Sequence, residues 1–217
     1  MKYPEKGQVK TRISRDIGNT ITAELYRNFV LDLLSTLDKV ETDLWICFYP
    51  KASQKKLVKW LGNNYFYVPQ KGHNLGQRMK SSFLEAFARG YRRVILIGSD
   101  IPDLPVVFIK EAFSYLETSD VAIGPATDGG YYLVGFRYDT FLPEVFEGIQ
   151  WSTDTVFRET MNILEKSNQK VHILPEWSDV DTIDDLRNLV QRNQDTEFKK
   201  TEFSSETHFK SVEFEKE

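Results

Sequence analysis

The sequence predicts an α/β fold in which a mostly parallel central sheet carries helices on both faces. Two observations lead to this prediction. Strand-like and helix-like segments alternate along most of the chain, which is typical of doubly wound sheets. In addition, residues 94–97 read Val-Ile-Leu-Ile, a continuous apolar run that is typical of a strand buried on both faces.

The length of the chain fits one domain. At 217 residues, a chain can bury about 70% of its unfolded surface in a single core. We expect this domain to span residues 1–192. Residues 193–217 are polar and charged, so we expect them to form a flexible C-terminal tail.

The individual elements follow from apolar spacing and from turn residues. From Asn19 to Leu37, apolar residues recur at helical spacing, which predicts the first helix. Gly62 and Gly90 end two further predicted helices, over 53–61 and 74–89. The other predicted helices are 105–116, 153–167 and one that begins near Asp181, and the predicted strands are 44–48, 65–68, 94–97, 120–124, 131–136 and 170–174.

Composition and charge argue against two classes of partner. The chain has 28 Lys and Arg residues against 32 Asp and Glu residues, a net charge of -4 and no long basic run, so nucleic acid is not an expected partner. No apolar segment approaches the ~20 residues that a membrane span needs. The single cysteine, Cys47, cannot form an internal disulfide, and we expect a cytoplasmic location.

Two carboxylates follow the predicted strand 94–97 directly. Asp100 lies just beyond the carboxyl end of the strand, where open α/β sheets bind their ligands, and Asp103 comes three residues later. Carboxylates at such a position can hold a hard divalent cation and, through it, the phosphates of a substrate. The alternative is that Asp103 caps the next helix and Asp100 accepts hydrogen bonds from loop amides.

Positive charge is concentrated near the N-terminus, at Lys6, Lys10, Arg12 and Arg15. This concentration suits a diphosphate. The alternative, which composition alone favours, is a solvated and frayed terminus. Arg78 lies in the first turn of a predicted helix, where a cation opposes the helix dipole and so hints at a bound anion.

Two further motifs combine turn residues with candidate site residues. Gly129 and Gly130 precede the predicted strand 131–136. The Asp-Gly pair there predicts an ordinary hairpin, but paired glycines also let backbone amides approach a ligand closely. Asp181 fits either a capping arrangement with Asp184 or a second metal ligand.

Six motifs together indicate a known family, and the resemblance covers about residues 3 to 190. They are Lys10-Thr-Arg12, Asn74-Leu-Gly-Gln-Arg78, Ile97-Gly-Ser-Asp-Ile-Pro-Asp-Leu104, Gly124-Pro-Ala-Thr-Asp-Gly-Gly-Tyr-Tyr-Leu-Val-Gly135, Gln150-Trp-Ser-Thr153 and Asp179-Val-Asp-Thr182. In order and spacing, this set resembles the bacterial DUF2064 family of glycosyltransferase-A-like proteins. That family is related in fold to phospholactate guanylyltransferase and to the molybdenum-cofactor guanylyltransferase.

The resemblance implies a Rossmann-like nucleotide-diphospho-sugar transferase fold, which binds a nucleotide or nucleotide-sugar together with Mg or Mn. It gives Asp100 the role of the metal-binding aspartate, and Lys10 and Arg12 the role of phosphate-side cations. Asp181 would be a second acidic ligand or the catalytic carboxylate.

The resemblance also implies roles outside this group. Arg78 would contact the nucleotide, and Gly129 and Gly130 would line the acceptor or sugar side. The chain departs from the family at Asn74 and Gln77, where an aspartate and a glutamate are common. These two amides put in doubt any part that the acids play in binding.

A second departure concerns the sheet. Family members usually carry an apolar first strand before the segment that begins at Tyr3, and that strand is missing here. We expect its loss to open the sheet and to loosen the loop around Lys10. Either the start was assigned late or another segment, such as the tail around Phe209, fills the position.

These observations lead to three functional hypotheses. The first is a metal-dependent glycosyltransferase that transfers a sugar from a nucleotide-sugar to an unknown small-molecule acceptor. The second is a nucleotidyltransferase, similar to a guanylyltransferase, that couples a nucleoside triphosphate to a small phosphorylated acceptor. The third is a catalytically inert nucleotide-binding protein. Both enzyme hypotheses need the metal at Asp100.

Overall fold

The computed structural model describes residues 1–193. Its helices are α1 (Ser14–Ile17), α2 (Asn19–Leu37), α3 (Gln54–Leu61), α4 (Leu75–Ala88), α5 (Val106–Tyr115), α6 (Val156–Lys166) and α7 (Ile183–Arg192). Its strands are β1 (Trp45–Phe48), β2 (Phe66–Pro69), β3 (Arg93–Ile97), β4 (Val121–Pro125), β5 (Tyr131–Arg137) and β6 (Val171–Ile173). Within these residues, no helix is long and apolar enough to cross a lipid bilayer.

The strands form two sheets, and both are flanked in sequence by helices. β1 and β2 pair in parallel. The second sheet has the order β3-β5-β4-β6, in which β4 and β6 are parallel while β5 is antiparallel to both of its neighbours. The predicted α/β class is confirmed. β3, β4 and β6 run in the same direction, as expected for a mostly parallel sheet, and β5 runs against them because the Asp-Gly turn joins β4 to β5 as a hairpin.

The chain divides into two compact units. Unit 1 comprises Met1, residues 43–98 and residues 106–178, and it contains all six strands with α3, α4, α5 and α6. Unit 2 comprises residues 2–42, residues 99–105 and the chain from residue 179 onward. It contains α1, α2, α7 and the loop that follows β3.

Both sheets end at an open edge inside unit 1. Among the described residues, β1 pairs only with β2, and β3 only with β5. On the other edge of β1, the Met1 amino group donates to the Cys47 carbonyl (2.6 Å), and the Tyr49 amide donates to the Met1 carbonyl (3.1 Å). The tail around Phe209, considered above as a segment that could fill the position of the missing strand, lies outside the described residues.

The open edge changes the environment of β3. Residues 94–97 were expected to be buried on both faces, but all four are only partly buried. That expectation is wrong in detail, since no described strand covers the second edge of β3. The apolar run identified the strand correctly, but it carries no information about whether a neighbouring strand is present.

Aromatic rings fill the core of unit 1. Phe83 of α4 is fully buried, and its ring lies 5.2 Å from that of Phe136 on β5 and 5.7 Å from that of Phe146. Phe87, one helical turn later on α4, extends the same cluster. The helical spacing of the aromatic residues on α4 therefore places one face of the helix against the four-stranded sheet.

We expect Phe83→Ala to lower the free energy of unfolding by about 3–5 kcal/mol, because it removes a fully buried ring and leaves a cavity. The matched control is Leu84→Ala on the same helix, whose side chain is 46% exposed, with an expected loss of about 0.5 kcal/mol. Denaturant unfolding of the three proteins measures both values. Equal losses in the two variants would contradict the assigned core.

Candidate functional site

Three predicted site residues meet in unit 2. The Lys10 Nζ lies 2.7 Å from Asp100 Oδ1 and 2.6 Å from Asp181 Oδ1. We call these three residues the acid–lysine cluster. The Lys10 side chain is only 4% exposed, whereas the side chains of Asp100 and Asp181 are 42% and 43% exposed. The ammonium is therefore shielded, while both carboxylates keep surface that a ligand can reach.

Local backbone structure holds the cluster together. Asp100 follows the end of β3, and its carbonyl accepts a hydrogen bond from the Val180 amide (2.9 Å), which fixes the loop after β3 against the segment that carries Asp181. Lys10 has a φ of +45°, a left-handed conformation that costs a non-glycine residue about 1 kcal/mol or more. Such conformations persist where surrounding contacts impose them, and they are common at functional sites.

The electrostatics of the cluster keep Lys10 charged. Burial lowers the pKa of the Lys10 ammonium, but the charges of Asp100 and Asp181, and the hydrogen bonds to them, outweigh burial and raise this pKa above its ordinary value. Arg12 adds a second cation, with its Nη1 3.9 Å from Asp181 Oδ2 and its side chain 69% exposed. The cluster thus combines two carboxylates with one buried and one exposed cation.

Sequence reasoning missed one neighbour of the cluster, Tyr26 on α2. Its hydroxyl lies 3.0 Å from the Ser99 Oγ, beside Asp100. Burial, with a contribution from the Asp100 charge, raises the pKa of the Tyr26 hydroxyl well above its ordinary range, so this group stays neutral and can donate. The inward face of α2 was visible in the apolar spacing, but nothing in that spacing distinguishes a tyrosine that supports a loop from one that only fills the core.

Asp103 has contacts that differ from those of a metal ligand. Its side chain is 3% exposed. Both carboxylate oxygens accept from Arg192, at 2.6 Å from Nε and 2.9 Å from Nη2, and Oδ2 also accepts from the Asn193 amide (2.8 Å). A carboxylate held by a bidentate guanidinium ties the loop after β3 to the C-terminal end of α7. Asn193, which we had placed in a flexible tail, is itself buried in this contact.

The capping role considered for Asp181 belongs to other residues. The N-cap of α7 is Thr182, which forms a capping box with Asp185. Asp184 instead pairs with Arg187 at the surface (2.6 Å). The expected capping partnership between Asp181 and Asp184 is therefore wrong, and the carboxylate of Asp181 is directed to Lys10.

The other predicted site residues lie in unit 1. The Arg78 guanidinium stacks on the Tyr49 ring, 3.9 Å from its centroid, and its Nε donates to the Gly72 carbonyl (3.2 Å). Asn74 caps α4 by accepting from the Gln77 amide (2.8 Å). Gln77 Oε1 in turn accepts from the backbone amide of His73, in the loop before this helix (2.8 Å). The two amides that replace acids of the family pattern thus both stabilise the start of this helix.

Gly129 and Gly130 lie in the hairpin between β4 and β5. Gly129 has a φ of +86°, and an added Cβ would collide with the carbonyl of Asp154. Its own carbonyl accepts from the Phe157 amide at the start of α6 (2.8 Å). The Gly130 amide donates to Asp128 Oδ1 (2.8 Å). The close backbone approach that the glycines allow is therefore filled by other parts of the chain itself.

The donor set of the acid–lysine cluster fits a divalent cation that is shared with a substrate. Asp100 and Asp181 already converge on one cationic atom, the Lys10 Nζ. Across the described residues, no group of three or more His, Cys, Asp or Glu side chains could hold a metal ion. Two carboxylates are nevertheless enough for Mg²⁺, which commonly binds one or two of them together with waters and substrate phosphates.

Solved structures share this fold. The crystal structure of a putative nucleotide-diphospho-sugar transferase from Desulfovibrio desulfuricans G20 is 44% identical in sequence, with a TM-score of 0.91, and the match covers 94% of this chain and 90% of that chain. CMP:2-keto-3-deoxy-manno-octonic acid synthetase, complexed with CTP, matches at 12% identity and a TM-score of 0.55, over 89% and 96% of the two chains.

A third match is Rv0371c from Mycobacterium tuberculosis H37Rv in complex with manganese, at 14% identity and a TM-score of 0.50, over 76% and 85% of the two chains. Because their sequence identity is low, the last two matches show a common fold and nothing more. The fold is therefore of the class that nucleotide-diphospho-sugar transferases and nucleotidyltransferases share, as the resemblance implied.

Within this class, the chain belongs to the DUF2064 family. Residues 32–153 match the family described as "Uncharacterized protein conserved in bacteria (DUF2064)", and the relative from Desulfovibrio supports the assignment over nearly the whole chain. The resemblance found in the six motifs is confirmed. A comparison with curated proteins gave no match.

The contacts of Asp103 lead to a stability prediction. We expect Asp103→Ala to lower the free energy of unfolding by about 3 kcal/mol, because it removes a carboxylate that is only 3% exposed together with its bidentate contact to Arg192. The control is Asp184→Ala, which breaks an exposed ion pair at the start of the same helix, with an expected loss below about 1 kcal/mol. Denaturant unfolding measures both. If Asp103→Ala left stability unchanged and instead abolished stabilisation by Mn²⁺, the metal role predicted from sequence would be restored.

Proposed function

We propose that this protein is a metal-dependent transferase that uses a nucleotide-sugar as donor and passes the sugar to a small-molecule acceptor. The observation that carries the proposal is the acid–lysine cluster, in which two partly exposed carboxylates converge on one buried cation. The relative of 44% identity, named a putative nucleotide-diphospho-sugar transferase, supports the choice of donor. A cytoplasmic location is part of the proposal, since the chain's single cysteine has no internal disulfide partner.

Each residue of the cluster has a role in this proposal. Asp100 and Asp181 would hold Mg²⁺ or Mn²⁺, which neutralises the charge that develops on the leaving diphosphate. Lys10 and Arg12 would bind phosphate oxygens and orient the diphosphate. The manganese in the complex of Rv0371c supports a divalent cation in this fold. Asp103 is left out of the proposed ligand set, because its oxygens are held by Arg192 and Asn193.

Arg78 is proposed as a separate nucleotide contact in unit 1. Its stacking on Tyr49 fixes the plane of the guanidinium and leaves one edge of it to donate hydrogen bonds to an acceptor. The role of Gly129 and Gly130 on the sugar or acceptor side stays a prediction.

The second candidate is a nucleotidyltransferase that couples a nucleoside triphosphate to a small phosphorylated acceptor. It is favoured by the match to a synthetase solved with CTP. The same acid–lysine cluster would serve this reaction, because both reactions stabilise negative charge on a leaving phosphate group. The two candidates differ in the released product, which is a nucleoside diphosphate in the first and pyrophosphate in the second.

A thermal-shift panel of nucleotide-sugars, nucleoside diphosphates and nucleoside triphosphates, with and without Mn²⁺, tests the proposal. A ligand that binds only the folded protein at about 100 times its Kd stabilises it by about 2.7 kcal/mol. We expect a Mn²⁺-dependent rise in the unfolding midpoint with a nucleotide-sugar. We expect that rise to disappear in Asp100→Asn and Asp181→Asn, since each loses one anionic oxygen ligand.

Asp184→Asn is the matched control, because Asp184 lies close to Asp181 in sequence but is exposed and paired with Arg187. It should keep the full response. A preference for one nucleoside triphosphate would favour the nucleotidyltransferase instead. A protein that no member of the panel stabilises, with or without Mn²⁺, would contradict both enzyme proposals and favour an inert protein.

A further inference from the structure

Lys10 differs from the other lysines that pair with acids in this protein. The Lys71 side chain, which pairs with Glu85, is 69% exposed, and Lys80, which pairs with Glu147, is 30% exposed. In those pairs the cation is accessible to water. In the acid–lysine cluster the cation is instead buried, at 4% exposure, while its two partners are more than 40% exposed.

This difference has a physical consequence. A buried ammonium has lost its hydration, so it depends on Asp100 and Asp181 for compensation. The two carboxylates are still open to solvent and can accept a second cation. A divalent ion that binds the same oxygens would come within a few ångströms of the Lys10 Nζ, where two positive charges repel strongly. Lys10 and a divalent ion therefore compete for one pair of acids.

From this geometry we propose that Lys10 is an internal counter-ion that holds Asp100 and Asp181 together in the resting protein and is displaced from them when a divalent cation binds. The inference rests on the metal role of the two acids in the proposed function. The displaced ammonium requires a new anionic partner, and the diphosphate of the substrate supplies one.

The competition makes metal and diphosphate binding cooperative. Without an anion, the metal must displace Lys10 from the two carboxylates that compensate its charge, so the metal binds weakly. When a diphosphate is present, the ammonium moves to a phosphate oxygen. Metal binding then no longer carries the free-energy cost of leaving the ammonium without a counter-ion. By linkage, each ligand then raises the affinity of the other by the same factor. The cluster would in this way favour loading of metal and substrate together.

Titration of the protein with Mn²⁺ alone, followed by the electron paramagnetic resonance signal of free Mn²⁺, tests this competition. We expect Lys10→Met, which keeps the length of the side chain and removes its charge, to bind Mn²⁺ at least about tenfold more tightly than the unaltered protein. Lys71→Met, which removes an exposed lysine paired with an acid, should leave the affinity unchanged. Inorganic pyrophosphate should tighten Mn²⁺ binding in the unaltered protein and have much less effect in Lys10→Met.

A second measurement needs no variant, in case Lys10→Met does not fold. An amine-reactive reagent followed by mass spectrometry measures how accessible each lysine is. We expect Lys10 to react slowly in the protein alone and several-fold faster at saturating Mn²⁺, while the reactivity of Lys71 stays constant. Lys10 reactivity that does not change at saturating Mn²⁺, equal or weaker Mn²⁺ binding by a folded Lys10→Met, or no Mn²⁺ binding by either protein would each overturn the inference.

These outcomes are separable from the failure of the proposed function. If Mn²⁺ binds both proteins equally and a nucleotide-sugar still stabilises the unaltered protein, the counter-ion inference fails and the transferase proposal stands. If Lys10→Met binds Mn²⁺ more tightly but no nucleotide ligand stabilises either protein, the inference holds for a metal site and the transferase proposal fails.

Discussion

The contact of one buried ammonium with two carboxylates is the interaction on which unit 2 depends. Lys10, Asp100 and Asp181 come from three distant parts of the chain, and removing Lys10 would take from the two carboxylates the buried cation that both of them contact. The surrounding contacts reinforce the same arrangement, since the Val180 amide binds the Asp100 carbonyl and Asp103 anchors α7. The loop after β3 is thus fixed at both ends while its first carboxylate stays exposed.

This arrangement explains how carboxylates that a ligand could reach can occur in a stable protein. The buried carboxylate of Asp103 is held by three donor contacts, from Arg192 and Asn193. The two acids of the cluster instead share a single lysine and keep exposed oxygens. The two carboxylates of one short loop are therefore divided between a buried, donor-bound environment for Asp103 and a partly exposed one for Asp100. Tyr26 contributes to the division, because its neutral hydroxyl contacts Ser99 next to Asp100 without adding charge.

Much of this could be predicted from the sequence. Apolar spacing located α2, turn glycines located the ends of other helices, and the strand-end position of Asp100 identified the loop that carries part of the candidate site. Other features could not be predicted, because they depend on partners far away in sequence. The contact of Asp103 with Arg192 joins residues 89 positions apart, and no local pattern distinguishes that acid from a ligand. Likewise, an apolar run identifies a strand but not the neighbours of that strand, so the partial burial of residues 94–97 in β3 was not visible.

The most direct test of the account is a double-mutant cycle on Asp100 and Asp181, with Mn²⁺-dependent affinity for the best nucleotide ligand as the measured quantity. If the two carboxylates hold one cation, Asp100→Asn and Asp181→Asn should each remove most of the Mn²⁺ effect, and the double variant should lose little more than either single one. The effects would then be strongly non-additive. Losses that add to within about 0.5 kcal/mol would show two independent sites and would contradict the central claim that the acid–lysine cluster is one functional centre.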